Sequence, residues 1–296
     1  MLVNKKLRSS KYEKPPSFYA DVFYRLKKNK PAMVALVVIV IITLLAIFAG
    51  VIADYDTQVI QSNPAERLQK PSAGHIFGTD PMGRDLFARV IYGARYSLTF
   101  GLICTFTGLI FGCLFGAAAA YFGGAVDTIL MFIFDCITCI PGLLLSLTLV
   151  TVLGPGMVNL VLAITISAIP GYARSIRAIV MGIVRQEYIE AARAIGVSHW
   201  RVIAKHVLPN AIALIIVNAT MHIAGFIMSA AGLSFIGMGI QPPSPEWGAM
   251  LNESREAMRM FPHTVLVPGL AIVVTALSFN LLGDGLSEAL DPRMKE

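Results

Sequence analysis

The sequence predicts an all-α membrane protein with six transmembrane helices and both termini on the cytoplasmic side. Three observations predict it. Of 296 residues, 56% are hydrophobic and only 14% charged, a composition suited to hydrocarbon rather than to a soluble globule. Six apolar stretches, near 33–53, 98–121, 128–153, 157–179, 211–236 and 264–282, match the roughly 20 residues a bilayer core requires. With six crossings, 17 of the 24 lysines and arginines fall on the side of the termini, which makes that side cytoplasmic by the positive-inside rule.

Residues 1–30 form a polar tail. Lys5, Lys6, Arg8, Lys11, Lys14, Arg25, Lys27, Lys28 and Lys30 all precede the first apolar run, so the net charge of +6 is a topology signal rather than a nucleic-acid surface. After Pro15-Pro16, the residues Phe18, Tyr19, Val22, Phe23 and Leu26 line one face of an interfacial helix whose other face is basic, against lipid headgroups. The first apolar run is too long for a cleaved signal peptide and no small-residue cleavage site follows it. The transmembrane domain is expected over 31–296.

Residues 54–96 make a polar outer connection containing Gly78-Thr79-Asp80-Pro81, Gly83-Arg84-Asp85 and Gly93-Ala94-Arg95. Asp80 is placed to cap a helix opened by Pro81, and Arg84, Asp85, Arg89 and Arg95 are placed to pair or to brace the loop. In the second span, Gly108, Gly112 and Gly116 recur every four residues, a face along which a neighbouring helix can approach closely. Whether that neighbour is in the same chain stays open. The third span follows Phe122-Gly123-Gly124, carries Asp127 and Asp135, and should kink at Pro141. Gly154-Pro155-Gly156 is an outer turn, and Arg174 and Arg177 mark the cytoplasmic end of the fourth span. Cys104, Cys113, Cys136 and Cys139 all lie in apolar segments and are expected to be packing residues.

A polar loop at 181–209 separates the fourth and fifth spans. Glu187 to Ile195 reads as a short helix with Ile189, Ala192 and Ile195 on one face. Gly196 stands where a left-handed C-terminal cap is wanted. Ser198 is placed to cap a second helix that Pro209 breaks before membrane re-entry, giving an L-shaped pair at the membrane surface. Small residues Ala191, Ala192 and Gly196 let another surface come close. The fifth span carries Asn218, Met221 and His222, and an outer loop at 237–263 contains Gln241-Pro242-Pro243-Ser244-Pro245-Glu246-Trp247.

These motifs resemble a known family. Glu190-Ala191-Ala192, then Gly196, then Leu208-Pro209 resemble the EAA loop of permease subunits in binding-protein-dependent ABC importers. His206 stands where the family pattern has an isoleucine. The Gly78-Thr79-Asp80, Gly83-Arg84-Asp85, Arg95 and Gln241-Pro242…Trp247 runs are similar to signatures of the C-type permease of dipeptide, oligopeptide and nickel importers. That family usually has an arginine close to the third-span aspartate, where this chain has Phe132.

The resemblance implies the type I ABC importer permease fold and the import of di- or oligopeptides, with nickel, metal chelates, glutathione or haem as alternatives. It implies four kinds of partner: a second homologous permease, two ATP-binding subunits, an extracytoplasmic solute-binding protein and membrane lipid. Glu187, Glu190, Ala191, Ala192, Gly196, Leu208 and Pro209 would couple to the ATPase, and Gly78 to Arg95 with Gln241 to Trp247 would dock the binding protein or gate. The location would be the inner membrane of a bacterium.

The chain lacks GxxxxGK[ST], HExxH, G-x-S-x-G and any Cys/His ligand cluster, so no catalytic or metal residue is expected and the role is mechanical. No cofactor is expected on this chain; ATP and magnesium would be used by partners. A secondary transporter, which would work without an ATPase and usually shows an inverted repeat and midplane charges, is the distant rival, and a structural scaffold a second one.

Overall fold

Leu86 opens the longest element, a helix of 37 residues running to Phe122 against which much of the chain is arranged. The structure, a computed structural model, describes residues 18–290. Lys5, Lys6, Arg8, Lys11, Lys14, Pro15-Pro16 and the tail Asp291-Pro292-Arg293 lie outside the described residues, as do the side chains of Phe18 and Tyr19. In order, the helices are α1 (Phe18–Lys28), α2 (Lys30–Ile47), α3 (Ala49–Ile52), α4 (Leu86–Phe122), α5 (Gly124–Thr138), α6 (Gly142–Leu153), α7 (Met157–Val184), α8 (Glu187–Ala194), α9 (His199–Val202), α10 (Leu208–Phe235), α11 (Trp247–Glu253) and α12 (His263–Leu290).

Among the described residues five continuous helices are long and apolar enough to cross a membrane, and α5 and α6 pass the same test only as a pair bent by 79°, a broken span or a re-entrant loop. Pro141 sits at that bend, directly before α6, and supplies the break the sequence predicts. The helices outlast the apolar stretches. Residues 86–96, read from sequence as part of a loop, are the first turns of α4, because Asp85 caps them by accepting from Ala88 N at 2.8 Å. Asp80 does not cap a helix. It closes the turn before the cap, accepting from Met82 N at 2.7 Å and Arg84 N at 3.0 Å.

The glycine face of α4 finds its neighbour inside the chain. A Cβ built at Gly108 would lie 2.9 Å from the Tyr172 ring and one at Gly112 2.7 Å from Tyr172 Cβ, while at Gly116 it would meet the Ala173 carbonyl of α7. Without those side chains α4 and α7 pack backbone-close, as small residues allow in lipid. On the other flank α10 packs on α12, and α12 on α2. α1 folds back onto α12, where Leu26 of α1, Ala32 of α2 and Ala289 of α12 form one buried cluster, while Phe23 and Tyr24 stay exposed.

Cys136 and Cys139, expected to be packed, are exposed at the bend; only Cys104 is fully buried. Asp135 pairs across helices rather than along its own: Arg174 of α7 comes to 3.3 Å, so Phe132 leaves no gap in the pairing. Asp127 takes the neighbouring Arg177, whose Nε donates at 2.5 Å.

Candidate functional site

Two constellations sit at opposite ends of α4. At its N-terminal end, residues 54–85 fold over the bundle and are tied to α11 by four charged side chains. Arg84 Nε donates to Asp80 Oδ2 at 2.6 Å and Arg84 Nη2 to Glu253 Oε1 at 2.8 Å. Arg89 donates to the same Asp80 oxygen, and to Glu253 Oε2 at 2.8 Å. Arg89 is fully buried and Arg84 4% exposed, so two carboxylates neutralise two guanidinium groups away from water. Arg95 does not join them. It donates to the carbonyls of Ala46 and Ile47, a cation placed on the C-terminal end of α2 where orphan carbonyls need donors.

Trp247 opens α11, is buried, and donates from Nε1 to Val90 O at 3.0 Å. Gly93 makes room for it, since a Cβ there would fall 2.6 Å from the indole. Glu246 caps α11 through the N–H groups of Gly248 and Ala249, both at 2.9 Å. Burial pushes its carboxyl above the usual range, against the pull of those two N–H groups. Gly78, Thr79, Asp80, Gly83, Arg84 and Trp247 are all buried. Within this chain they pack into this end; Arg95, Gln241 and Pro242 are the exposed members of the set.

At the other end of α4 lies the 187–209 loop. α8 ends in a two-bond cap: Gly196 N donates to Arg193 O at 3.0 Å and Val197 N to Ala192 O at 3.1 Å, with Gly196 at φ +79°. Its faces differ from expectation. Ile189 and Ala192 turn into the protein, whereas Ile195 is 80% exposed, because the cap swings the chain out just after Ala194. Glu187, Glu190 and Ala191 are exposed; Ala192 is not free for an outside surface. Ser198 occupies the cap position of α9 but makes no side-chain capping bond. Pro209 breaks nothing: Ile203–Val207 widens into a π turn and Pro209 sits in the first turn of α10, where a missing N–H is harmless.

The loop is fastened to α4 by residues whose role the sequence did not signal. Tyr121 Oη and His199 Nδ1 are 2.9 Å apart. The Arg193 guanidinium lies 4.3 Å over the Tyr121 ring, and Phe122 meets His199 and Trp200 edge-on. α12 begins at the end with Gly78 and finishes beside α1, so both ends of the described chain lie on the side of this loop.

Residues 108–296 match the family of binding-protein-dependent transport system inner membrane components, and residues 17–71 match the N-terminal transmembrane domain of oligopeptide transport permease C. The chain belongs to that family of transport components. It is similar to the dipeptide transport system permease protein DppC of Alkalihalophilus pseudofirmus, 44% identical over 277 residues that cover 94% of this chain and 90% of the relative. The glutathione transport system permease protein GsiD of Escherichia coli is also 44% identical, over 93% of this chain and 90% of its own length. An inward-facing structure of the MetNI methionine ABC transporter shares the fold, with a TM-score of 0.57 at 18% identity over 69% of this chain and 97% of that one. The protein is therefore a permease subunit of an ABC importer, a multi-pass component of the inner membrane, and a transport subunit by its family rather than an enzyme.

Proposed function

We propose that this permease imports short peptides, driven by ATP that two partner subunits hydrolyse with magnesium and that reaches the pathway through residues 187–209. A second homologous permease encloses the path, and an extracytoplasmic binding protein delivers solute to the end formed by residues 54–85 and 237–262. The observation that carries the coupling role is the exposed apolar surface of the loop: Ile195 is 80%, Trp200 62% and Tyr188 45% exposed. These sit beside Glu187 and Glu190, on a helix pair joined to α4, α7 and α10 at once. Exposed apolar groups of this kind mark a partner surface.

Closure of the ATP-binding subunits moves α8, with Glu190 and Ala191 at the contact and Leu208-Pro209 setting where α10 takes up the motion. The permease then exchanges between outward- and inward-facing states, whose balance the nucleotide biases by differential contact. Both termini and the loop are assigned to the cytoplasm on the lysine and arginine distribution. Peptide is the substrate class because dipeptide and glutathione, the cargoes in the relatives' names, share the peptide main chain.

The test is uptake by the whole complex in proteoliposomes, wild type against Glu190→Ala and Gly196→Val, with dipeptide, glutathione and nickel offered separately. Loss of uptake while the complex remains assembled supports the coupling role. Normal uptake by both variants refutes it, and uptake without ATP-binding subunits refutes the ATP-driven mechanism. Uptake of nickel alone refutes the peptide assignment.

A further inference from the structure

Midway along the bundle, α6, α7 and α10 line an open cavity of about 250 Å³ bordered by Gly142, Ser146, Ser167, His222, Gly225 and Ser229 among others. His222 lies roughly 21 Å along a helix roughly 42 Å long at 1.5 Å per residue, near the middle of the span. The cavity lining is mostly apolar, with Leu143, Ile164, Phe226 and Leu233, but Ser146, Ser167, His222 and Ser229 bring polar groups into it.

Asn218, His222, Gly225 and Ser229 recur at intervals of four, three and four residues, one face of α10. Ser146 Oγ donates to Ser167 Oγ at 2.9 Å and Ser167 Oγ to Ala163 O at 2.9 Å. Both oxygens keep lone pairs free to accept. His222 stacks on Tyr172 at 4.3 Å and on Phe226 at 6.2 Å. Among the described residues, the half-buried His222 ring and the exposed Ser229 make no hydrogen bond from their side chains and open onto the cavity, and Asn218 Oδ1, one turn away, is buried without a partner. Polar groups left unpaired at this depth are costly against lipid, so the face must meet something that hydrogen-bonds. The glycines agree. A Cβ at Gly142 or Gly225 would meet nothing within 4 Å, unlike the packed glycines of α4. They widen the cavity instead of seating a helix.

No lysine, arginine, aspartate or glutamate lines the cavity, so nothing there grips an ion or a charged terminus, and a single imidazole does not make a metal site. Neutral donors and acceptors suit a neutral chain of amides. We infer that the Asn218–His222–Gly225–Ser229 face of α10, with Ser146 and Ser167, is a translocation subsite that hydrogen-bonds the main chain of a peptide in transit and ignores its side chains. This inference rests on the peptide reading above.

The experiment uses the full complex in proteoliposomes with trialanine as cargo. Ser229→Cys is introduced with Cys136 and Cys139, the exposed native thiols, replaced by serine, and is labelled with a membrane-impermeant methanethiosulfonate. Labelling should exceed that of the same background without Ser229→Cys. It should slow about fivefold, the factor of one hydrogen-bonded contact, when ATP and trialanine-loaded binding protein are supplied, and not with empty binding protein. His222→Phe keeps the stacking and removes the nitrogens. It should lower trialanine uptake per ATP hydrolysed by about the same factor.

Labelling no greater than background, labelling indifferent to trialanine, or unchanged uptake by His222→Phe overturns the subsite. Failure of the wild-type complex to take up trialanine, with glutathione and dipeptide also refused, overturns the peptide reading instead. The two failures are thus told apart.

Discussion

Glu253→Ala tests the clamp between residues 54–85 and α11. Glu253 offers one oxygen to each arginine, at 2.8 Å to Arg84 and 2.8 Å to Arg89, and its side chain is 13% exposed. Removing it leaves two guanidinium groups, 4% and 0% exposed, sharing the single carboxylate of Asp80. One uncompensated positive charge is then buried. Breaking a buried pair costs about 3–5 kcal/mol, and the partial exposure of Glu253 argues for about 3. At 1.4 kcal/mol per decade this shifts the local opening equilibrium by about two orders of magnitude.

Hydrogen exchange on the assembled complex should therefore show Thr79, Asp80 and Arg84 amides exchanging about 100-fold faster. Amides at the other end of α4 should be unaffected. Arg84→Met combined with Glu253→Met removes one charge of each sign and should recover most of the loss, because the remaining Asp80–Arg89 pair is neutral. Exchange that rises less than about threefold in Glu253→Ala, or a double variant no better than the single one, would refute the reasoning.

Gly112→Val drives a Cβ to 2.7 Å from Tyr172 Cβ and a branch toward Ile176, so the complex should lose about 1–3 kcal/mol by overpacking, read as a lowered melting temperature in detergent. Tyr121→Phe deletes the 2.9 Å bond to His199 but keeps the ring contacts. It should weaken the brace by about 1 kcal/mol and reduce peptide taken up per ATP hydrolysed while hydrolysis continues; an unchanged ratio would remove α4 from the coupling route. Trp247→Phe loses the bond to Val90 O and part of a buried indole, for about 1–2 kcal/mol. Thermal unfolding of the complex should shift accordingly, and an unaltered profile would mean that α11 is held without it.

The apolar helices, the break at Pro141, the glycine face of α4 and the left-handed cap at Gly196 were all legible in the sequence. Each depends on local properties: apolar length, a missing N–H, a missing Cβ at a fixed spacing. The motif residues around Gly78–Arg95 and Glu187–Pro209 were legible as wording, though wording did not say which way they face. Ala192 turned inward because the cap after Ala194 sets the phase of α8. Pro209 was absorbed because a π turn precedes it.

What only the tertiary structure decided is who meets whom. Glu253 and Arg89 are 164 residues apart and His199 and Tyr121 are 78 apart, and no local pattern encodes such a pairing. The neighbour of the glycine face, the arginine that answers Asp135, and the meeting of Ser146, Ser167, His222 and Ser229 around one cavity belong to the same class. Hydrophobicity and backbone geometry act on adjacent residues and can be read along the chain, whereas charge pairing, aromatic contact and cavity lining exist only once separate helices are packed side by side.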